Sequence, residues 1–313
     1  MPACLSSPAP ASTPLDGVAR LPDLGVIRAR GADAASFLQA QLTQDMEQIH
    51  LGRGRLAALC NARGRMLASF VACRSGPEEF LLACAADLLA PTLARLSRFV
   101  LRSRVQLTEA SADVMLRGLL GASAAQWIST AAQPGRAADT PCVATLPAAE
   151  GEARALWLAT AGSPEPEGPV LAAADWELAA VRSGAAMVSA AVSEAFLPQM
   201  LNYESLDGVS FRKGCYPGQE VVARSQFRGA VKRRAWVGHV AGEALAGDEV
   251  LLVEAPGQPC GQVAQAAVAP DGGTAVIAVL QDAAVERSSA LVVGAASGPA
   301  LTGLHRPYAL LEI

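Results

Sequence analysis

The sequence predicts an α+β protein with two mixed layers followed by a small antiparallel barrel or sandwich. Strand-like and helix-like segments alternate twice before residue 232, and strands outnumber helices, as in sheets that carry helices on one face. From Ala235 onward, the sequence contains only short strand-like segments separated by Gly, Pro and Asp. We therefore predict a disordered tail at 1–14, an α+β region at 15–232 and a barrel at 233–313.

Apolar runs predict the strands, and apolar residues at helical spacing predict the helices. The strands predicted before the barrel cover residues 24–28, 56–60, 66–73, 80–84, 114–119, 142–146 and 155–160. One helix opens at Ala32 and Asp33 and carries the apolar stripe Phe37, Leu38, Leu42 and Met46; the others cover 87–97, 123–131 and 175–182. Residues 61–65 form a hairpin turn around Gly64. The predicted barrel strands cover 236–240, 249–253, 261–267, 275–280 and 290–293.

The charge is concentrated locally although the chain as a whole is mildly acidic. Hydrophobic residues make up 51% and charged residues 17% of the chain, and the net charge is −4, which gives no general attraction to nucleic acid. However, 15 of the 25 basic residues lie in the segments 53–65, 95–104 and 212–234, with a single acid among them. This distribution favours a local anionic ligand over a long polyanion.

The cysteine and histidine positions argue against disulfides and metal sites. Seven cysteines occur without a C-x-x-C pair, which speaks against a disulfide framework and a zinc ribbon, and the three histidines are far apart. We therefore expect no metal site and a reducing, cytoplasmic compartment. No uncharged run resembles a membrane span, so we expect no membrane association. Four cysteines lie in apolar runs and are predicted to be buried: Cys60, Cys73, Cys84 and Cys142.

The most concentrated chemistry lies in a loop around Cys215. Gly214, Pro217 and Gly218 predict a tight turn, and nearby basic side chains favour the thiolate form of a cysteine. A nucleophile with a histidine base, a buried structural cysteine and an RNA-binding cluster at 224–234 are the alternatives. No histidine is near in sequence, and the few aromatics and acidic net charge argue against RNA binding.

The same loop carries a resemblance to a known family. Residues 213–220 read KGCYPGQE and match the K-G-C-Y-x-G-Q-E signature of the YgfZ-type folate-binding proteins, which are relatives of the glycine-cleavage T-protein, an aminomethyltransferase. Four flanking stretches resemble family motifs as well: 39–45 (QAQLTQD), 61–66 (NARGRM), 196–204 (FLPQMLNYE) and 224–233 (RSQFRGAVKR).

The resemblance implies a T-protein-like ring of three domains around a central hole. Two intertwined ferredoxin-like α+β domains and a C-terminal antiparallel β-barrel would form this ring. The implied ligand is tetrahydrofolate or a one-carbon derivative, and the implied partners are iron–sulfur client enzymes, including enzymes that thiomethylate tRNA. Direct binding of nucleic acid is not expected. Cys215 is the candidate catalytic thiol, and the candidate folate-binding residues are Gln39, Gln41, Asp45, Asn61, Arg63, Arg65, Lys213, Tyr216, Gln219, Glu220 and Arg228.

Three departures from the relatives bear on the activity that the resemblance implies. The catalytic aspartate of T-protein falls near Ala68 and Ser69, neither of which carries a carboxylate. A Glu-small-Gly triplet of the relatives reads Arg182-Ser183-Gly184, and Pro217 stands where a threonine is common. The resemblance therefore favours a folate-binding accessory protein for iron–sulfur enzymes and tRNA modification; a folate-dependent aminomethyltransferase or other one-carbon transferase is the alternative.

Overall fold

Strands make up most of the regular structure. The computed structural model describes residues 15–133, 140–228, 231–287 and 289–311, and the predicted tail at 1–14 lies outside these ranges. The strands before the barrel are β1 Gly17–Arg20, β2 Leu24–Arg30, β3 Gly54–Cys60, β4 Met66–Gly76, β5 Glu79–Ala85, β6 Gln106–Glu109, β7 Val114–Leu120, β8 Cys142–Ala149, β9 Glu152–Thr160 and β10 Val170–Leu171. The barrel strands are β11 Arg233–Val240, β12 Glu249–Leu252, β13 Ala255–Val268, β14 Thr274–Gln281, β15 Leu291–Val293 and β16 Ala300–His305.

Six α-helices connect the strands of the described part of the chain. They are α1 Ala34–Gln39, α2 Ala86–Ser97, α3 Gly121–Ala132, α4 Ala173–Arg182, α5 Gln219–Phe227 and α6 Asp282–Glu286. Short 3-10 turns lie at Met46–Gln48, Ala190–Val192 and Pro198–Leu201. Among these described helices, none has both the length and the apolar character needed to cross a lipid bilayer.

The strands form two open sheets and one closed barrel. The first sheet has five strands in the order β3-β4-β5-β2-β6, and the second has five in the order β10-β1-β7-β9-β8. Because β1 belongs to the second sheet and β2 to the first, the chain passes between the sheets at its start, and the two α+β layers are intertwined. The barrel order is β11-β14-β13-β12-β15-β16, closed by antiparallel pairing of β11 with β16. Helix α4 contacts β1 and β8 of the second sheet as well as β13 and β14 of the barrel.

The hydrophobic core confirms the prediction for the cysteines in apolar runs. Cys60, Cys73, Cys84 and Cys142 are all buried and unbridged, and burial raises the pKa of Cys60 and of Cys84 to about 12. Cys73 on the first sheet lies against Cys142 on the second, and this contact together with burial raises the pKa of the Cys73 thiol. These thiols fill the core between the layers and are poor nucleophiles at neutral pH.

The predicted helix from Ala32 to Met46 is wrong in its length. Helix α1 ends at Gln39, and Leu42 instead forms an antiparallel bridge with Leu59 of β3. Both Leu42 and Met46 are fully buried, so their helical spacing reflects burial in an irregular turn. The contact with β3 therefore determines the backbone conformation after Gln39, where periodicity alone favours a helix.

The sequence also failed to predict several short elements. Strands β1, β6, β10 and β16 were missed, and so was α5, which covers part of a segment that we interpreted as a loop. Helix α5 buries only Val222 and Gln226, so its apolar stripe is too narrow to be recognised. The barrel has six strands instead of the five predicted, and α6 interrupts it where no helix was expected.

A buried ion pair connects the barrel to the segment at 196–211. Arg234 on β11 donates from Nη1 to Glu204 Oε1 and, at 2.8 Å, to the backbone oxygen of Gln199. The side chains of Arg234 and Glu204 are 5% and 0% exposed. Gln199 Nε2 in turn donates to the Val222 backbone oxygen of α5 at 2.7 Å, and Asn202 Nδ2 donates to Ala235 O at 3.1 Å. The segment therefore holds the barrel and α5 together.

Removing one member of this pair is expected to destabilise the fold strongly. Arg234→Met leaves the Glu204 carboxylate buried without its cation, which costs about 3–5 kcal/mol in the free energy of unfolding. The matched control is Arg55→Met, because Arg55 pairs with Asp207 at 3.0 Å with both side chains substantially exposed, and this loss is about 1 kcal/mol or less. Urea unfolding of both variants measures the difference, and equal losses would contradict the central role of the buried pair.

Candidate functional site

Lys213 holds the turn that follows α1. Its ammonium group donates to the backbone oxygens of Gln39 and Leu42 and, at 2.9 Å, to that of Gln44. An ammonium has three donors, so all of them are used within the protein. Burial lowers the pKa of Lys213 to about 8, while Asp45 and Glu47 act in the opposite direction. The prediction that Lys213 contacts a ligand stays a prediction; the observed contacts make it a positioning residue for residues 39–44.

Tyr216 and Cys215 lie next to Lys213 but differ in exposure. The Lys213 ammonium lies 5.2 Å from the centroid of the Tyr216 ring, which is buried, and burial raises the pKa of the Tyr216 hydroxyl. Cys215 is exposed, in contrast to the buried cysteines of the core. A Cβ added to Gly214 would meet no atom within 4 Å, so the backbone beside the thiol faces open space. The structure therefore presents the Cys215 thiol on an accessible surface.

The hairpin turn predicted at 61–65 packs against this loop. Gly218, with φ +81°, approaches so closely that an added Cβ would lie 2.4 Å from Asn61 O and 2.7 Å from the Gly64 Cα. Asn61 Oδ1 accepts hydrogen bonds from the backbone N–H groups of Arg63 at 2.9 Å and Arg65 at 3.1 Å. Two sequence motifs separated by about 150 residues are thus brought together, because only glycine allows this backbone contact.

Two predicted residues of the 39–45 turn, Gln39 and Asp45, bond to each other. Gln39 Nε2 donates to Asp45 Oδ1 at 3.1 Å, and Gln39 Oε1 accepts from the Met46 N–H at 2.7 Å. The Gln41 Oε1 atom is buried and accepts no hydrogen bond from the described residues. Asp45 is half-buried, so one of its oxygens can still accept a bond from a ligand. This turn could line a polar site beside the Lys213 ammonium.

The remaining predicted residues lie at different depths around the loop. Arg65 is half-buried and donates from Nη1 to Ala195 O, whereas Arg63, Glu220 and Arg228 are exposed and Gln219 is half-buried. Next to Arg228, the exposed Phe227 ring makes an edge contact with Phe211 at a centroid distance of 5.4 Å. The structure therefore collects the predicted residues around one surface, but most of the buried donors there are already used.

A cavity of about 440 Å³ lies elsewhere, where both sheets, α4 and the barrel meet. Its walls are mainly apolar, and they include Leu24, Leu56, Val71, Trp176, Met187 and Ala266. None of the twelve candidate residues predicted from the sequence lines it. Leu56 pairs with Val71 in the middle of the β3–β4 hairpin, so the cavity and the Cys215 loop lie at different points along the same hairpin. Sites commonly form at such domain junctions.

Arg154 is the buried cation of this cavity. The side chain lies on β9, the residue is 3% exposed, and the Cζ atom stacks 4.6 Å from the centroid of Trp176. Nη1 donates to Ser183 Oγ at 2.7 Å and to Pro147 O at 3.3 Å. Burial lowers the pKa of Arg154 to about 9, which leaves the guanidinium charged at neutral pH. Sequence reasoning missed this residue, although a lone arginine within the apolar run of β9 was a usable signal.

The comparisons with known proteins agree with this architecture. A family model described as the GCVT N-terminal domain matches residues 17–155. The tRNA-modifying protein YgfZ of Escherichia coli O157:H7 (strain EC4115 / EHEC) is 31% identical over 234 residues, which are 69% of this chain and 70% of the relative. The same protein of Escherichia coli strain SE11 is 31% identical over 252 residues, 75% of this chain and 73% of the relative.

A solved structure confirms the predicted fold class. The glycine cleavage system aminomethyltransferase T from Bartonella henselae superposes with a TM-score of 0.64, covering 93% of this chain and 85% of that chain. Its sequence is 16% identical, so the likeness establishes the fold and nothing about activity. The prediction of two α+β domains and a C-terminal antiparallel barrel in a T-protein-like arrangement is therefore confirmed.

Lys213→Met should loosen the turn at residues 39–46 without disturbing the rest of the fold. The substitution leaves three backbone oxygens without their donor, which is expected to lower the free energy of unfolding by about 1–3 kcal/mol. Amide hydrogen exchange should rise in residues 39–46. Arg212→Met removes an exposed neighbouring cation and serves as control, with a change of about 0.5 kcal/mol or less. Equal effects of the two substitutions would contradict the positioning role of Lys213.

Proposed function

Because the chain belongs to the family of the tRNA-modifying protein YgfZ, we propose that it is a tetrahydrofolate-binding accessory protein. In this role it supports the assembly or repair of iron–sulfur enzymes, and through them tRNA modification. The observation that carries the proposal is the identity of 31% to relatives of that name over 70% and 73% of their length. The complete KGCYPGQE signature at residues 213–220 agrees with this family.

Binding without turnover is the favoured form of this function. The position that corresponds to the catalytic aspartate of T-protein falls at Ala68 and Ser69 on β4, and both residues are fully buried. Ser69 Oγ already accepts a hydrogen bond from the Val188 N–H at 2.8 Å. Neither residue can supply the carboxylate that would handle a proton on the folate nitrogen. A one-carbon transferase therefore has no support from these two positions.

The cavity is the better location for the folate than the Cys215 loop. Its volume of about 440 Å³ lies within the range of roughly 300–1,000 Å³ that is usual for small-molecule sites. Apolar walls with a few polar groups suit a ligand that combines a heterocycle, a benzoyl ring and a carboxylate tail. At the loop, by contrast, Lys213 and Arg65 already donate to backbone oxygens.

The exposed surface around Cys215 suits a second role, the contact with transient client proteins. Cys215, Arg63, Arg212 and Arg228 are exposed there, and Phe227 is 68% exposed. We place these clients among iron–sulfur enzymes of the cytoplasm, as the family setting implies. In this proposal, folate binds in the cavity and the Cys215 thiol acts at the loop. The β3–β4 hairpin connects these two places.

A titration of the purified protein with tetrahydrofolate tests the proposal directly. Saturable binding is expected by calorimetry, and Ala266→Phe should weaken it at least tenfold because the new ring occupies the cavity. Val268→Phe, on the same strand but 75% exposed and outside the cavity, should bind like the wild type. The absence of saturable binding in the wild type would refute folate binding, and normal binding by Ala266→Phe would refute its location.

Gene deletion followed by complementation tests the role of Cys215. We expect deletion to lower tRNA thiomethylation, wild type to restore it, and Cys215→Ala to fail despite normal protein levels. Ser297→Ala, an exposed barrel substitution, should restore thiomethylation and controls for expression. Full rescue by Cys215→Ala would remove the thiol from the mechanism.

A further inference from the structure

Arg154 is a buried charge that forms no ion pair with any described acidic residue. Its residue is 3% exposed, and none of the ion pairs in the described structure includes it. Burial lowers the pKa of the Arg154 guanidinium. Buried cations are normally paired, because an isolated charge is costly to remove from water. A buried cation that lines a cavity and has no acidic partner among the described residues indicates that a ligand supplies the anion.

The guanidinium is held in place with its Nη2 group unpaired among the described residues. Nη1 is used by Ser183 Oγ and Pro147 O, and Trp176 covers one face of the guanidinium plane. Among the described residues, none accepts a hydrogen bond from Nε, which is fully buried, and none accepts one from Nη2. Nε is enclosed by the protein, so Nη2 is the group from which a ligand carboxylate can accept a charge-assisted hydrogen bond. The side chain is therefore fixed in place with Nη2 unused.

The other charged groups of the cavity lie in a different environment. Asp23, Asp87 and Glu177 line it as well, but all three are exposed, whereas Arg154 is buried. The neighbouring Arg182 is not part of the lining and pairs with Glu150 at 3.0 Å. The cavity thus combines exposed acids, apolar walls and one buried cation. A ligand that carries hydrogen-bond donors and a carboxylate, joined by an aromatic ring, matches this arrangement.

We propose that Arg154 is the carboxylate-binding residue of the cavity and selects aromatic ligands that carry a carboxylate. The Nη2 group donates to the carboxylate, and the aromatic ring of the ligand packs among the apolar walls beside Trp176 and Leu56. The proposal deepens the proposed folate binding, because it rests on that function for the identity of the ligand. The chemistry that it assigns to Arg154 stands on the cavity alone.

Two fragments separate the carboxylate from the heterocycle of a folate. The probes are p-aminobenzoyl-L-glutamate, which carries the carboxylates, and 6-methyltetrahydropterin, which has none. Calorimetric titrations compare the wild type with Arg154→Met, which removes the charge at similar volume, and Arg154→Lys, which keeps the charge but not the planar guanidinium that stacks on Trp176. Arg182→Met is the matched control, an arginine near Ser183 that lies outside the cavity. Thermal unfolding of each variant shows whether it is folded.

The proposal predicts that p-aminobenzoyl-L-glutamate binds the wild type and Arg182→Met with equal affinity. Binding should be at least tenfold weaker in Arg154→Met, and partly retained in Arg154→Lys. Binding of 6-methyltetrahydropterin should change less than twofold in all variants. The melting temperature of the ligand-free Arg154→Met protein should be at or above that of the wild type, because an unpaired buried charge is removed.

Several outcomes would overturn the proposal. One is an absence of p-aminobenzoyl-L-glutamate binding by the wild type. Another is equal affinity of the wild type and folded Arg154→Met for p-aminobenzoyl-L-glutamate. A third is weaker binding of 6-methyltetrahydropterin, but not of p-aminobenzoyl-L-glutamate, by Arg154→Met. Tetrahydrofolate binding that is indifferent to Arg154→Met would also overturn it while leaving folate binding intact. Conversely, Arg154-dependent binding of p-aminobenzoyl-L-glutamate by a protein that does not bind tetrahydrofolate would support this inference and refute the proposed function.

Discussion

The buried ion pair between Arg234 and Glu204 is the contact on which both candidate sites depend. Arg234 belongs to the first barrel strand, and Glu204 to the segment that runs beside the sheets. That segment positions α5 through Gln199 and reaches the cavity through Tyr203, whose hydroxyl donates to Ala186 O at 2.8 Å. Because the pair is almost completely buried, neither charge can be removed without leaving the other uncompensated. The pair therefore anchors the segment that bonds to α5 through Gln199 and contributes Tyr203 to the cavity.

The Cys215 loop uses much of its chemistry to hold itself together. Lys213 satisfies three backbone oxygens, Gly218 allows the close approach of the hairpin turn, and Tyr216 fills the space beneath. The sequence of this cluster predicts a ligand site, but in the structure most of its contacts join distant parts of the chain. The exposed members, Cys215 among them, are free to contact other molecules. This division explains how a loop with many charges can be rigid and still present one accessible thiol.

The cavity differs from the Cys215 loop because the only basic residue that lines it in the described part of the chain is buried among apolar walls. Its walls are apolar and its acids are exposed, yet it contains a buried guanidinium that is oriented by Ser183 and Trp176. Arg182 lies outside the cavity and pairs with Glu150 at 3.0 Å. The next residue, Ser183, instead accepts a hydrogen bond from Arg154. Arg154 therefore supplies a buried positive charge to a cavity whose acidic residues, Asp23, Asp87 and Glu177, are exposed.

The sequence by itself determined the fold class, the family and most of the longer strands, because apolar runs and the KGCYPGQE signature are local properties of the chain. It could not determine the end of α1, where Lys213 and the bridge between Leu42 and Leu59 override helical spacing. It also could not identify α5, whose buried stripe is narrow, or the cavity, whose lining comes from both sheets, α4 and the barrel. Arg154 shows the reason most clearly: its type and apolar neighbours were visible in the sequence, but only the tertiary structure shows that it is buried and that none of the described acidic residues pairs with it.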